Sequence, residues 1–175
     1  MWRKFRFLID NIRYLYLFPR AFRKLFYLHY NRLLLKINGV RADVGVRIYN
    51  KFYLFRHTSA SIKIGKSFLV TSDDAFNPLS RNIRTCIYAG DKSEIIIGDN
   101  VGFSSICLWA THKITIGNHV KVGADSLIFD TDAHHLNYLC RRGADDVGNS
   151  APIVIEDDVL IGTRCVILKG VTIGA

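Results

Sequence analysis

The sequence predicts an all-β parallel β-helix preceded by an N-terminal α-helical segment. The first observation behind this is a six-residue rhythm: Ile116-Gly117, Val122-Gly123 and Ile128, then Ile155-Glu156, Ile161-Gly162, Ile167 and Ile173-Gly174. An aliphatic residue returns every six positions, usually followed by glycine or an acid. That step is too short for a pair of helices and too regular for ordinary hairpins. It suits short strands joined by tight turns, three to a triangular coil, with coils stacked at about the 4.8 Å strand spacing. Each coil buries its aliphatic residues only against the next, so several are needed. The second observation is that the i+4 positions, Val120, Ser126, Val159, Cys165 and Val171, are all small or medium. The third is that the rhythm breaks once, at Asp130-Thr131-Asp132-Ala133-His134-His135, its most polar and titratable point. In a solenoid such an interruption projects from one face, where function often sits.

Residues 1–36 read as two helical pieces. Trp2, Phe5, Ile9, Ile12 and Tyr16 recur at helical spacing, Pro19 interrupts, and Phe22, Phe26, Tyr30 and Leu33 continue the pattern. Arg3, Lys4, Arg6, Arg13, Arg20, Arg23, Lys24 and Arg32 surround them. A basic, aromatic, amphipathic segment reads as a helix lying on an anionic membrane surface. It reads equally as a cap over the open end of the coil stack or a packing element between subunits. The readings are compatible, because a cap can expose a basic outer face.

Residues 37–175 form the β-helix domain. Its first turns, 37–72, are ragged, with Asn38-Gly39 as a turn signal and alternation at Val44, Val46, Ile48, Ile62 and Ile64. Residues 73–93 lose the rhythm in a polar loop (Asp73, Asp74, Asn77, Pro78, Ser80, Arg81, Asn82, Arg84), with Cys86-Ile87-Tyr88 as a short strand. The loop reads as a subunit contact, an acceptor-binding loop or plain surface. From Ile95 the repeat is clear through Ile97, Val101, Phe103 and Trp109, and it slips by one residue between Trp109 and Lys113, at a bulged corner. Residues 136–152, with Arg141, Arg142, Asp145 and Asp146, form a long excursion before the coils resume. Ile97, Val101, Val122, Ile155, Val159, Ile161, Ile167 and Val171 are expected inside.

The net charge is +9, but residues 1–36 hold nine Lys+Arg against one Asp, leaving 37–175 at only +1. A nearly neutral repeat does not offer a nucleic-acid groove. Cys86, Cys107, Cys140 and Cys165 show neither metal spacing nor a disulfide framework, and Cys107 and Cys165, at i+4 positions, read as buried thiols suited to a reducing cytoplasm. No stretch of 18 uncharged apolar residues exists, no signal peptide is evident, and no nucleophile elbow, P-loop or dinucleotide fingerprint is present.

The run Ile161-Gly162-Thr163-Arg164-Cys165-Val166-Ile167-Leu168-Lys169-Gly170-Val171-Thr172-Ile173-Gly174 resembles the hexapeptide-repeat acyltransferases, and Thr131-Asp132-Ala133-His134 resembles the T-x-x-H pattern of their acetyltransferase branch. The resemblance covers about residues 60 to 175. It implies a left-handed β-helix, a homotrimer with active sites between subunits, and acetyl-CoA as co-substrate. It is nearest to O-acetyltransferases that modify sugar hydroxyls in surface polysaccharide or lipid-linked glycan assembly, at or near the inner face of the membrane.

Carried over residue by residue, the resemblance makes His134 the general base, a role that an imidazole with a reference pKa of about 6.5 suits. Asp132 would orient the imidazole, and Asp130 would hold an acceptor hydroxyl. Ser104, with Ser105, stands at the corner where some relatives carry an acceptor-contacting asparagine. Gly162 and Thr163 stand where relatives meet the pantetheine arm. His135 is expected to be a dispensable neighbour. The resemblance also implies at least one more coil and a basic tail after Ala175 to complete the coenzyme site. No metal is expected, because His112, His119, His134 and His135 do not match the zinc spacing of trimeric β-helix carbonic anhydrases. The competing class is a non-catalytic β-helix that docks at membranes through residues 1–36.

Overall fold

The computed structural model describes residues 2–81, 83–144 and 146–175, with side chains along the first helix from Phe18 onward. Among them, parallel strands form three stacked sheets wound as a parallel β-helix. Sheet A pairs β1 (Arg41–Ala42), β4 (Ser61–Ile64), β7 (Glu94–Ile97), β10 (Lys113–Ile116), β13 (Ile153–Ile155) and β16 (Thr172–Ile173) in that order. Sheet B pairs β2 (Arg47–Tyr49), β5 (Leu69–Thr71), β8 (Gly102–Ser104), β11 (Lys121–Val122) and β14 (Leu160–Ile161). Sheet C pairs β3 (Tyr53–Arg56), β6 (Cys86–Ala89), β9 (Cys107–Ala110), β12 (Leu127–Phe129) and β15 (Val166–Ile167). The chain visits A, B and C in turn, so each circuit stacks on the previous one.

The aliphatic rhythm becomes a set of ladders running up the inside. Ile62, Ile95, Ile114 and Ile153 are in register in sheet A, as are Val70, Phe103, Val122 and Ile161 in sheet B and Leu54, Ile87, Leu108, Ile128 and Ile167 in sheet C. Most are fully buried, and each such side chain contributes roughly 1.5–3 kcal/mol. Of the eight residues expected inside, Ile97, Val101, Val122, Ile155, Val159 and Ile161 are buried, whereas Ile167 and Val171 are half-buried. These two lie in the last coil, where nothing among the described residues stacks on them.

Between sheets A and B, side chains climb in a second ladder. Asp99 accepts the N–H of Lys66, Asn118 that of Asp99, and Asp157 that of Asn118. Each coil thereby caps the turn of the coil before it, and the Asn118 N–H holds the Asp157 carboxyl below the usual range. Glycines sit where adjacent backbones touch: a Cβ on Gly98 would lie 2.7 Å from the Gly117 carbonyl. The sequence slip resolves into the Thr111-His112 corner between β9 and β10. Within the polar stretch 73–93, the short strand expected at Cys86-Ile87-Tyr88 is present as β6, one residue longer at Ala89. In the same stretch, Pro78–Ser80 form a 3₁₀ turn capped by Asn77, and Arg81 reaches Asp125 at 3.0 Å.

Three expectations change. The N-terminal segment is one helix, α1 (Trp2–Ile37), with Pro19 inside it. Proline removes one backbone donor, but the half after it is pinned to the first coil: the Asn31 amide donates to the carbonyls of Ile48 and Asn50, and Leu35 is buried. The cap is therefore present, but its basic residues do not all face outward. Arg23 donates to Asn50, Lys24 lies over the Tyr49 ring, and Arg20 lies over Phe76. The expectations for the side chains of Trp2, Arg3, Lys4, Phe5, Arg6, Ile9, Ile12, Arg13 and Tyr16, and for Asn82 and Asp145, lie outside the described residues. Lastly, Cys107 and Cys165 are half-buried rather than fully buried. Cys107 shares the outward parity of Trp109, and its hydrogen bond, with burial second, pushes the Cys86 thiol up. Among the described residues no helix is long and apolar enough to cross a membrane.

Candidate functional site

The interruption leaves the coil between sheets C and A. β12 ends at Asp130, a fully buried residue whose carboxylate accepts the N–H groups of Thr111 (2.7 Å) and His112 (2.8 Å) and the Thr111 hydroxyl (3.0 Å). Asp130 thus secures the corner of the coil below. The stem is closed by an antiparallel bridge between Thr131 and Ser150 and by the Asp132 N–H on the Asn149 carbonyl at 2.9 Å. Ala133 follows with φ +63°, its N–H on the Thr131 hydroxyl, and the chain turns into His134. Gly148 packs against this turn so closely that a Cβ there would sit 2.7 Å from the Ala133 nitrogen and 2.8 Å from that of His134.

Beyond the turn the excursion folds back on itself. Asn137 caps the short helix α2 (Tyr138–Arg141), and Arg141 donates to the carbonyls of His135 and Leu136 at 2.7 and 2.8 Å. Asp146 closes the loop: one carboxylate oxygen accepts the His135 N–H at 2.8 Å, and the other lies 2.6 Å from Nδ1 of His134. The His135 N–H first, and the His134 ring second, hold the Asp146 carboxyl below the usual carboxylate range.

These contacts give the two histidines different faces. An ionised Asp146 only accepts, so Nδ1 of His134 carries a proton. In the neutral ring, Nε2 of His134 is then left with its lone pair on an exposed side chain. His135 is the reverse: its Nδ1 accepts the Asn137 N–H at 3.0 Å, so its neutral ring carries the proton on Nε2. Of the pair, His134 is the one whose neutral ring leaves its Nε2 lone pair unengaged and open to solvent.

The other expected site residues divide between two corners. Asp132 faces Lys169 at 3.4 Å, and the carboxylate on His134 is that of Asp146. The Asp130 oxygens are occupied at the Thr111-His112 corner. Asp130, Asp132 and His134 all belong to the corner between sheets C and A. Ser104, its hydroxyl 3.3 Å from that of Thr71, ends β8 at the corner between sheets B and C. Exposed Gly162 and Thr163 lie at that same B–C corner two coils on, between β14 and β15, where the Ser126 hydroxyl donates to the Gly162 carbonyl at 2.9 Å. The wall between the two corners is the outer face of sheet C, where Phe55, Tyr88 and Trp109 stack at centroid spacings of 4.8 and 3.9 Å.

Sequence reasoning missed Asp146, Gly148 and Lys169. Asp146 was visible only as one of two acids in the excursion. Among the described residues no group of three or more His, Cys, Asp or Glu converges on a common point that could hold a metal ion. Comparison with protein-family models, with curated proteins and with solved structures finds no match.

Proposed function

We propose that the protein is an acyltransferase that moves an acetyl group from acetyl-CoA to a hydroxyl of a sugar, with His134 as general base. The observation that carries this reading is the 2.6 Å contact between His134 Nδ1 and Asp146, which leaves Nε2 as an exposed proton acceptor. In the reaction, His134 Nε2 takes the proton of the acceptor hydroxyl as its oxygen attacks the thioester carbonyl. The same imidazolium returns the proton to the departing thiolate when the tetrahedral adduct collapses. Asp146 holds the ring and its tautomer and stabilises the charged form. No metal enters this scheme.

The division of the expected residues between two corners supports a site completed by a second copy of the chain. The coenzyme-side positions, Gly162 and Thr163, would then come from a neighbour, as the resemblance to the hexapeptide acyltransferases implies for a homotrimer. The wall between the corners is apolar and exposed at Tyr53, Phe55, Trp109, Leu127 and Val166, which suits contact with another copy. The left hand of the coil, a cytoplasmic location at the membrane face, and a role in surface polysaccharide or glycan assembly belong to the same reading. The test is thiol release from acetyl-CoA by the full-length protein over a panel of sugars and amines. Sugar-dependent release supports the reading. Binding of acetyl-CoA without transfer to any acceptor favours a non-catalytic scaffold.

A further inference from the structure

Helix α1 is amphipathic twice over. At 100° per residue, Asn31, Leu34 and Leu35 define the side that docks on the first coil, with Tyr27 and Leu28 half-buried beside them. The opposite side carries Phe18, Phe22, Leu25, Phe26 and Leu33, and each is more than half exposed. A continuous aromatic and aliphatic stripe is therefore turned away from the β-helix, with nothing among the described residues covering it. Exposed large apolar side chains are ordinary singly, but a stripe of this length marks a contact surface.

Charge selects the occupant. No aspartate or glutamate lies between Asp10 and Asp43. Of the cations in that span, Arg20, Arg23 and Lys24 turn to the first coil, and Arg32 and Lys36 flank the stripe. A second copy packed stripe on stripe would bring the Arg32 and Lys36 of both helices together, with no carboxylate on either helix from Phe18 onward to pair them. A phospholipid surface with anionic headgroups satisfies both features, since acyl chains take the stripe and phosphates take the cations. Arg32 and Lys36 are exposed on the same side, and their long stems can run along the apolar surface to reach the headgroups. We propose that the outer face of α1 lies in the interface of an anionic membrane and carries the β-helix on its inner side. The remainder of the chain, at +1, adds little attraction, so the helix alone sets the orientation. The proposal stands independently of the acyltransferase reading.

The test is flotation of the full-length protein with vesicles of phosphatidylcholine alone or mixed with phosphatidylglycerol, at low and high salt. Expected are tight binding to the mixed vesicles, weak binding to the neutral ones, and weakening with salt. The double variant Phe22→Ser/Phe26→Ser should lose more than tenfold in partitioning while its circular dichroism and melting temperature match the parent, because both side chains are exposed. Arg32→Gln/Lys36→Gln should lose most of the preference for phosphatidylglycerol and keep the residual apolar binding. Equal binding to both vesicles, or unchanged binding by the Phe double variant, overturns the proposal. So does absence of vesicle binding together with a smaller assembly for the Phe double variant in sedimentation velocity, which would assign the stripe to a second copy.

Discussion

His134 Nδ1 lies 2.6 Å from a carboxylate oxygen of Asp146, twelve residues further along the chain. That contact sets which nitrogen of the ring is free. It depends on the excursion closing on itself, because Asp146 also accepts the His135 N–H and the stem is tied at Thr131 and Ser150.

Asp146→Asn is expected to lower turnover more than Asp132→Asn. An amide at 146 can present its NH₂ to Nδ1, which would move the ring proton to Nε2 and remove the acceptor. The loss expected is about ten- to a hundredfold in kcat, a part of what the base itself contributes. Asp132 faces Lys169, so its amide should act through loop stability and change kcat little. Equal losses for the two variants would remove Asp146 from its positioning role.

Gly148→Ala and Gly98→Ala should separate the loop from the stack. A Cβ on Gly148 pushes on Ala133 and His134, whereas one on Gly98 pushes on Gly117 in the coil above. The first is expected to lower kcat strongly with a small change in melting temperature. The second should lower the melting temperature in the parent assay, since the close-packed backbones cannot separate without opening the ladder. Differential scanning calorimetry beside steady-state kinetics reads both.

The ladders were legible because a buried strand face needs an aliphatic residue at a fixed step, and Ile95, Ile114 and Ile153 stand where that step puts them. The interruption was legible for the same reason, by its failure to keep the rhythm. Asp146 was not, because its pairing with His134 is made by loop closure and leaves no local spacing. The continuity of α1 across Pro19 was hidden because docking by Asn31 and Leu35, decided in tertiary structure, outweighs one lost donor. The inward turn of Arg20, Arg23 and Lys24 was hidden because their partners, Phe76, Asn50 with Asp73, and Tyr49, lie far away in the chain. Asp130 was read as an acceptor contact because a loop acid looks available in sequence, and burial at the Thr111-His112 corner decides otherwise.

Asp130→Ala should destabilise the fold. It leaves the part-buried N–H groups of Thr111 and His112 without their acceptor, a loss on the order of 1 kcal/mol for each hydrogen bond. Urea unfolding should show a lower midpoint with an unchanged slope. A midpoint equal to that of the parent would mean that water replaces the carboxylate at no cost.

Acidification should release the loop only at low pH. The folded-state value of Asp146 is lowered, so its contribution to stability is complete above the unfolded-chain value, about 3.9 for an aspartate, and is lost as pH falls through the lower folded-state value. From pH 7 to about pH 5 this carboxylate should therefore keep its hold on the His135 N–H. The His135 amide signal, followed by NMR against pH, is expected to shift with a midpoint below the reference value. A midpoint above it would reverse the sign of the effect.

The most direct test of the account is turnover by His134→Ala, with His135→Ala beside it, using acetyl-CoA and an acceptor that the parent acetylates. Loss of a positioned general base typically costs about 10²–10⁴-fold in rate. The His134 variant should lose turnover in that range with its fold and assembly intact. The His135 variant should stay within about tenfold of the parent, since its Nε2 carries the proton and offers no lone pair in the neutral ring. Near-normal turnover by His134→Ala would contradict the account, and the interruption between β12 and β13 would then stand as a structural loop.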